Sequence, residues 1–312
     1  MSKRFKGLVI GTAAAATYGL NPLFALPLYA DGLDTYSVLL LRYLGAIPLL
    51  AIMIKARGRS FAIRRDQIVP VIVLGLMLGL SSLGLFLSYR YIDAGIASTL
   101  LFVYPLMVAL IMAGLYHEKL TMQTVVCLLL ALVGIFLLSH TSTGAAISVA
   151  GIFWVVVSAL SYAVYIVIIN RSRVNDMPTL PLTFWLLIFG SVIFVGGVIA
   201  QGELILPSRP LLWGNTFALA LLPTVVSLSL TTVAIHMIGP TPTAILGVFE
   251  PVTAVIVGVL VFGEVLGLRQ ITGLVLILGA VTMVVSGGNL ARRIVRIKKM
   301  FPSLRGRGKN KS

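Results

Sequence analysis

Two stretches, YPLMVALIMAGLYHEKL (Tyr104–Leu120) and EPVTAVIVGVLVFGEVL (Glu250–Leu266), carry the same punctuation 146 residues apart. Pro105 falls on Pro251, Glu118 on Glu264 and Leu120 on Leu266. The register holds without a gap from about residue 76 to residue 286, where Leu76 meets Leu222, Ser81 meets Ser227 and Ile92 meets Ile238. Leucine matches are cheap in so apolar a chain. A proline followed by a glutamate at the same spacing, twice, is not.

The chain of 312 residues is 59% hydrophobic and 11% charged, with a mean hydropathy of +1.06. Soluble domains carry about a quarter charged residues. The apolar residues cluster in runs near the ~20 residues that cross a bilayer as a helix. Spans are expected at 7–29, 35–54, 67–89, 94–116, 120–139, 149–169, 179–200, 212–235, 240–262 and 267–287. The predicted fold class is therefore an all-α membrane protein of ten transmembrane helices, multi-pass in the cell inner (plasma) membrane. The first run follows Lys3, Arg4 and Lys6 and reaches about Tyr29, too long for the apolar core of a cleaved leader, so it is read as span one.

Lys and Arg set the orientation. Twenty of the 24 fall at the termini or in the loops on their side, three (Arg90, Arg209, Arg269) fall on the other side, and Arg42 lies within span two. Both N and C termini are thus expected in the cytoplasm, and the net charge of +15 follows from topology. The basic tail, 288–312, is expected to lie against anionic headgroups. It lacks interleaved aromatics for base stacking, so no nucleic acid is expected.

Each matching half holds five spans, at 7–139 and 149–287. An odd number reverses direction, so the second half is expected to enter the membrane from the opposite side, giving two inverted five-helix repeats (5+5). Inverted repeats are an architecture of secondary transporters, with the site near the midplane. The paired Pro-then-Glu segments, with YGLNPLFALPL in span one and LLLRYLGAIPLL in span two, resemble the drug/metabolite transporter superfamily, specifically its EamA branch. The resemblance covers about residues 8 to 287, with one departure, YHEKL, where members commonly place Gly before the Glu. It implies that spans 1, 3, 4, 6, 8 and 9 line a central cavity, with 5 and 10 peripheral or dimer-forming, so a homodimer stays open.

Glu250 is the sharpest candidate. A charge at the bilayer centre costs roughly 2.5–3.5 kcal/mol on the translocon scale, and Glu250 stands ten residues into span nine from Pro240, ~15 Å deep at ~1.5 Å per residue. It shares a small or polar helix face with Thr243, Gly247, Ala254 and Gly258, opposite Ile245, Val248, Val252, Ile256 and Val259, which suit lipid. Pro251 lacks an N–H, leaving the Gly247 carbonyl without its helical partner. The repeat-mate of Glu250 is Tyr104, expected to face the same cavity. Substrate contact, proton coupling and a structural hydrogen bond are the three roles open to this carboxyl.

Further candidates are weaker. Pro22 and Pro27 suggest either a broken span one, freeing carbonyls beside Tyr18 and Asn21, or a plain kink. Tyr162 and Tyr165 either line a cavity or pack helices; Tyr89 either joins them or belongs to an interfacial belt. Ser227, Thr231 and His236 would supply polar contacts if they face inward, although such hydroxyls commonly bond their own backbone. Arg42 is read as snorkelling outward, against pairing with Glu250 or an anionic group.

One cysteine, Cys127, and three histidines without ligand spacing argue against a metal site, and no cofactor is expected. Neither a G-x-S-x-G elbow nor a phosphate-binding loop occurs, so an enzyme or an ATP-driven pump is not expected. The function expected is alternating-access transport of a small organic solute, foremost export of amino acids or related amphiphilic metabolites. A proton-coupled multidrug or quaternary-amine exporter is the alternative, and a lipid-handling scaffold the rival of another class.

Overall fold

The computed structural model describes residues 2–92, 94–117, 122–138, 148–262 and 268–286. Among these there are helices and no strand. The first half runs α1 (Lys3–Tyr18), α2 (Asn21–Ala30), α3 (Thr35–Ala56), α4 (Arg65–Ser88), α5 (Ala94–Leu101), α6 (Tyr104–Tyr116) and α7 (Met122–Leu138). The second runs α8 (Val149–Arg171), α9 (Thr179–Gln201), α10 (Pro210–Ala220), α11 (Ser227–Ile238), α12 (Pro240–Leu246), α13 (Phe249–Phe262) and α14 (Leu268–Ser286). A π-helical turn, Leu221–Val226, joins α10 to α11.

Among the described residues, six stretches are long and apolar enough to cross a bilayer: Lys3–Ala30, Thr35–Ala56, Arg65–Ser88, Val149–Arg171, Thr179–Gln201 and Pro210–Ile238. Their outer faces expose large apolar side chains such as Ile52, Val69, Ile199 and Leu211, an arrangement suited to lipid and costly in water.

Proline decides where two further apolar stretches, 94–116 and 240–262, break. A proline ring excludes the carbonyl four residues back, so a helix restarts most easily with proline in its first turn. Accordingly α6 begins at Tyr104-Pro105 and α13 at Phe249, two residues before Pro251. The shift of 146 residues carries α12 onto α5 and α13 onto α6 to within one residue at each end. Span one also breaks, at Gly19-Leu20, just before Pro22.

Packing obeys the same shift. α4 lies on α8 as α11 lies on α1; α6 and α5 touch α8 as α13 and α12 touch α1; α6 meets α12 as α13 meets α5. Two pairs map onto themselves, α3 with α9 and α7 with α14. Close approach is bought with small residues at α4–α9, where a Cβ on Gly190 would come 2.9 Å from the Gly75 carbonyl oxygen and one on Gly79 2.8 Å from that of Gly190.

Two expectations about span nine are corrected. The Gly247 carbonyl has a partner, the Glu250 amide at 2.9 Å, because the broken helix tightens into a three-residue turn there. Ile245, Val248 and Val252 are buried rather than lipid-facing, while Ile256 is exposed. A single helical wheel drawn across the break assigns the wrong face, since α12 and α13 do not share one register. Glu118, Glu264, His140, the tail 288–312 and the side chains of Ala254 and Gly258 lie outside the described residues.

Candidate solute site

Glu250 sits in the first turn of α13 and is 7% exposed. Tyr104, the first residue of α6, donates its hydroxyl to Glu250 Oε1 at 3.4 Å. The two repeat-mates therefore meet directly, each in the first turn of the second helix of a broken apolar stretch. Gly247 makes the meeting possible, since a Cβ there would overlap the Tyr104 hydroxyl. Gly19 does the same from α1, its backbone lying against the Glu250 main chain.

A row of tyrosines extends from this pair. Tyr104 presents itself edge-on to Tyr162, 4.9 Å between centroids at 77°. Tyr162 stacks on Tyr18 at 6.2 Å and on Tyr165 at 5.7 Å. Aromatic faces carry partial negative charge, so a row of them beside a carboxylate suits a cation. Tyr18, Asn21, Tyr89, Ser98 and Glu250 line a cleft of about 10 Å³, room for about one water. A solute enters only if the surrounding helices part.

Asn21 is 1% exposed and neither its amide nitrogen nor its oxygen has a partner. A buried amide left so costs roughly 1–3 kcal/mol, a cost that a polar molecule in the cleft would offset.

Arg42 corrects the snorkelling expectation. It is 1% exposed and turns toward the π-helical turn, donating through Nε to Thr224 Oγ1 and through Nη2 to the Pro223 carbonyl at 3.3 Å. The guanidinium also lies 5.4 Å from the Phe86 ring centre and 5.9 Å from that of Tyr18. Residue depth along α3 could not reveal this, because the partner surface comes from span eight. Pro223 builds that surface: it cannot donate to the Leu219 carbonyl, and Thr224 Oγ1 donates there instead at 2.8 Å.

The remaining candidates divide. Tyr18, Asn21, Tyr89, Tyr104, Tyr162, Tyr165, Gly247 and Glu250 come together. Thr231 is buried in α11, and Ser227 donates to the Ala14 carbonyl at 2.8 Å, fastening α11 to α1. His236 stands apart near the end of α11, where Met237 and Ile238 pack on Gly7. Sequence reasoning missed Ser98 and the inward turn of Arg42; Pro223 within span eight was the signal for the second.

A wider cavity, about 560 Å³, lies between the end of α3 (Arg57, Arg59), the start of α9 (Thr179) and the π-helical turn (Val225, Val226) with Ser229. It runs from exposed arginines to the residues directly after Thr224. Among the described residues no three metal-binding side chains converge.

Residues 5–140 and 149–286 each match the EamA-like transporter family. The chain belongs to that family. This EamA-like protein is a multi-pass membrane transporter of small solutes. It is 29% identical over 257 residues to an uncharacterized transporter of Archaeoglobus fulgidus, covering 80% of this chain and 86% of that one. It is 28% identical to an uncharacterized transporter of Synechocystis, over 78% of this chain and 77% of the relative. A shorter match, 27% identical over 62% of this chain and 64% of the other, is to the uncharacterized inner membrane transporter YicL of Salmonella typhimurium. A solved crystal structure superposes with a TM-score of 0.77 at 20% identity, over 93% of this chain and 98% of its own, a likeness of fold.

Proposed function

We propose that this EamA-like protein exports amino acids or related amphiphilic metabolites across the inner membrane by alternating access. The observation that carries the reading is the Tyr104–Glu250 contact, a carboxylate and a phenol joined at two broken spans. Glu250 would take the solute's ammonium group, with the faces of Tyr18 and Tyr162 beside it. Two inverted five-helix repeats, 7–139 and 149–287, would rock about this point, with both termini cytoplasmic. The paired contacts of α4–α8 with α1–α11 and of α6–α12 with α5–α13 support that symmetry. The 560 Å³ cavity lies on the side of Arg57 and Arg59, cytoplasmic by the positive-inside rule and so the loading side for an exporter. The basic tail would rest on anionic lipid. Self-association through α7 and α14 is not required, since these helices already pack on each other.

Counterflow in proteoliposomes tests the solute. Pooled labelled amino acids are expected to exchange, and a parallel pool of aromatic cations is not. The row of tyrosines favours one second reading, a proton-coupled exporter of quaternary amines. Exchange of cations alone, steeply dependent on a pH gradient, would move the assignment there.

Side-specific labelling tests the inversion. In a Cys127→Ser background, Glu118→Cys should react with an impermeant maleimide from the cytoplasmic side and Glu264→Cys from the other. Labelling of both from one side would overturn the inverted arrangement.

A further inference from the structure

The guanidinium of Arg42 is the buried charge that the reading so far leaves unused. It is 1% exposed, and the ion pairs among the described residues, Arg64–Asp66 and Arg173–Asp66, do not include it. Nε and Nη2 are held by Thr224 and Pro223, while Nη1 is buried without a partner. A staple between α3 and the π-helical turn would explain the two bonds made. It does not explain a full positive charge kept in a membrane helix with a donor to spare, where a neutral side chain could bond the same two oxygens more cheaply.

We propose that Arg42 binds the carboxylate of the solute, with Glu250 taking its ammonium group. This rests on the solute-site reading above and narrows it to solutes carrying both charges. A carboxylate is the partner that uses the remaining Nη1 hydrogens and cancels the charge, since guanidinium and carboxylate pair through parallel, charge-assisted hydrogen bonds. Three observations converge on the placement. Arg42 touches the ring of Tyr18, and Tyr18 lines the cleft with Glu250, so one tyrosine separates the two opposite charges. Asn21 lines the same cleft with an unmet donor and an unmet acceptor, which fits a guest offering both a carboxylate and an ammonium. The wide cavity ends on Val225 and Val226, directly after Thr224, so a solute entering from the side of Arg57 and Arg59 reaches the π-helical turn.

The test uses the purified full-length protein and reads thermal unfolding, which does not depend on flux. The probes are pooled amino acids, the matching decarboxylated primary amines and the matching deaminated acids. Amino acids are expected to raise the unfolding midpoint of the wild type more than either single-charge pool. In Arg42→Gln their half-effective concentration should rise at least tenfold, the equivalent of about 1.4 kcal/mol, while that of the amines stays unchanged. Arg42→Lys, which keeps the charge but not the fork, should fall between, and it supplies the same readout if the glutamine variant does not fold. Equal stabilisation by amines and amino acids, no stabilisation of the wild type by a carboxylate-bearing pool, or undiminished amino-acid binding in the folded variant would overturn the proposal. Arg42-dependent binding without counterflow would instead remove the transport reading and leave this site standing. Counterflow of amines alone would do the reverse.

Discussion

Glu250→Gln should slow counterflow of an ammonium-bearing solute by roughly 10- to 100-fold while the protein folds and inserts as before. Glutamine keeps the length of the side chain and a carbonyl oxygen where Oε1 receives the Tyr104 hydroxyl. It removes only the charge, and a hydrogen bond to a charged partner is worth about 1.5–3 kcal/mol, hence the range. Stability should hold or rise, because a buried charge is costly to keep in a membrane helix. Initial rates at several solute concentrations separate the roles of Glu250. A raised KM at constant maximal rate identifies contact with the solute, whereas loss of dependence on a pH gradient at constant KM identifies coupling. Wild-type kinetics would remove both roles and leave Glu250 as a structural acceptor.

Gly247→Ala should have the larger effect on folding. The added methyl would occupy the position of the Tyr104 hydroxyl and crowd the Ala244 carbonyl oxygen at 2.9 Å. Tyr104 has little room to retreat, being 2% exposed, with Tyr162 at 4.9 Å and Phe102 at 5.8 Å between ring centroids. Overpacking of this kind costs about 1–3 kcal/mol, and the backbone oxygen places this site at the upper end. Adding Tyr104→Phe deletes the overlapping hydroxyl and should restore part of the stability, a coupling of roughly 0.5–3 kcal/mol for residues in contact. It should not restore counterflow, since Glu250 then lacks its phenol. Thermal unfolding of the two single variants and the double variant measures the coupling. Independent, additive losses would mean that Tyr104 does not rest against residue 247.

The break in span one was legible, as one of two readings, because its cause is local: Pro22 lies in the stretch that it interrupts. Spans four and nine were read through as continuous helices, although Pro105 and Pro251 stand in the first turns of α6 and α13. The inward position of Glu250 was legible on other grounds: a carboxyl deep in an apolar span is too costly to turn toward lipid, whichever helix carries it. What escaped depends on partners far away in sequence. Arg42 reads as a residue near a helix end, and nothing on α3 tells that Thr224 and Pro223, some 181 residues on, have turned two oxygens toward it. The buried state of Ile245 and Val248 escaped because amphipathic reading assumes one continuous helix. Ser98 carried no distinguishing signal, being one of two adjacent hydroxyl residues, Ser98 and Thr99, in an apolar stretch.

The contact between Tyr104 and Glu250 also bears on ancestry. Residues at the same place in two copies of one unit have come to differ, one a donor and the other an acceptor, and they now recognise each other. Two copies of the first half would oppose phenol to phenol; two copies of the second would bring carboxylate to carboxylate, which repel. The halves have thereby lost interchangeability. A doubled first half or a doubled second half cannot rebuild the joint, and only the mixed pair closes it.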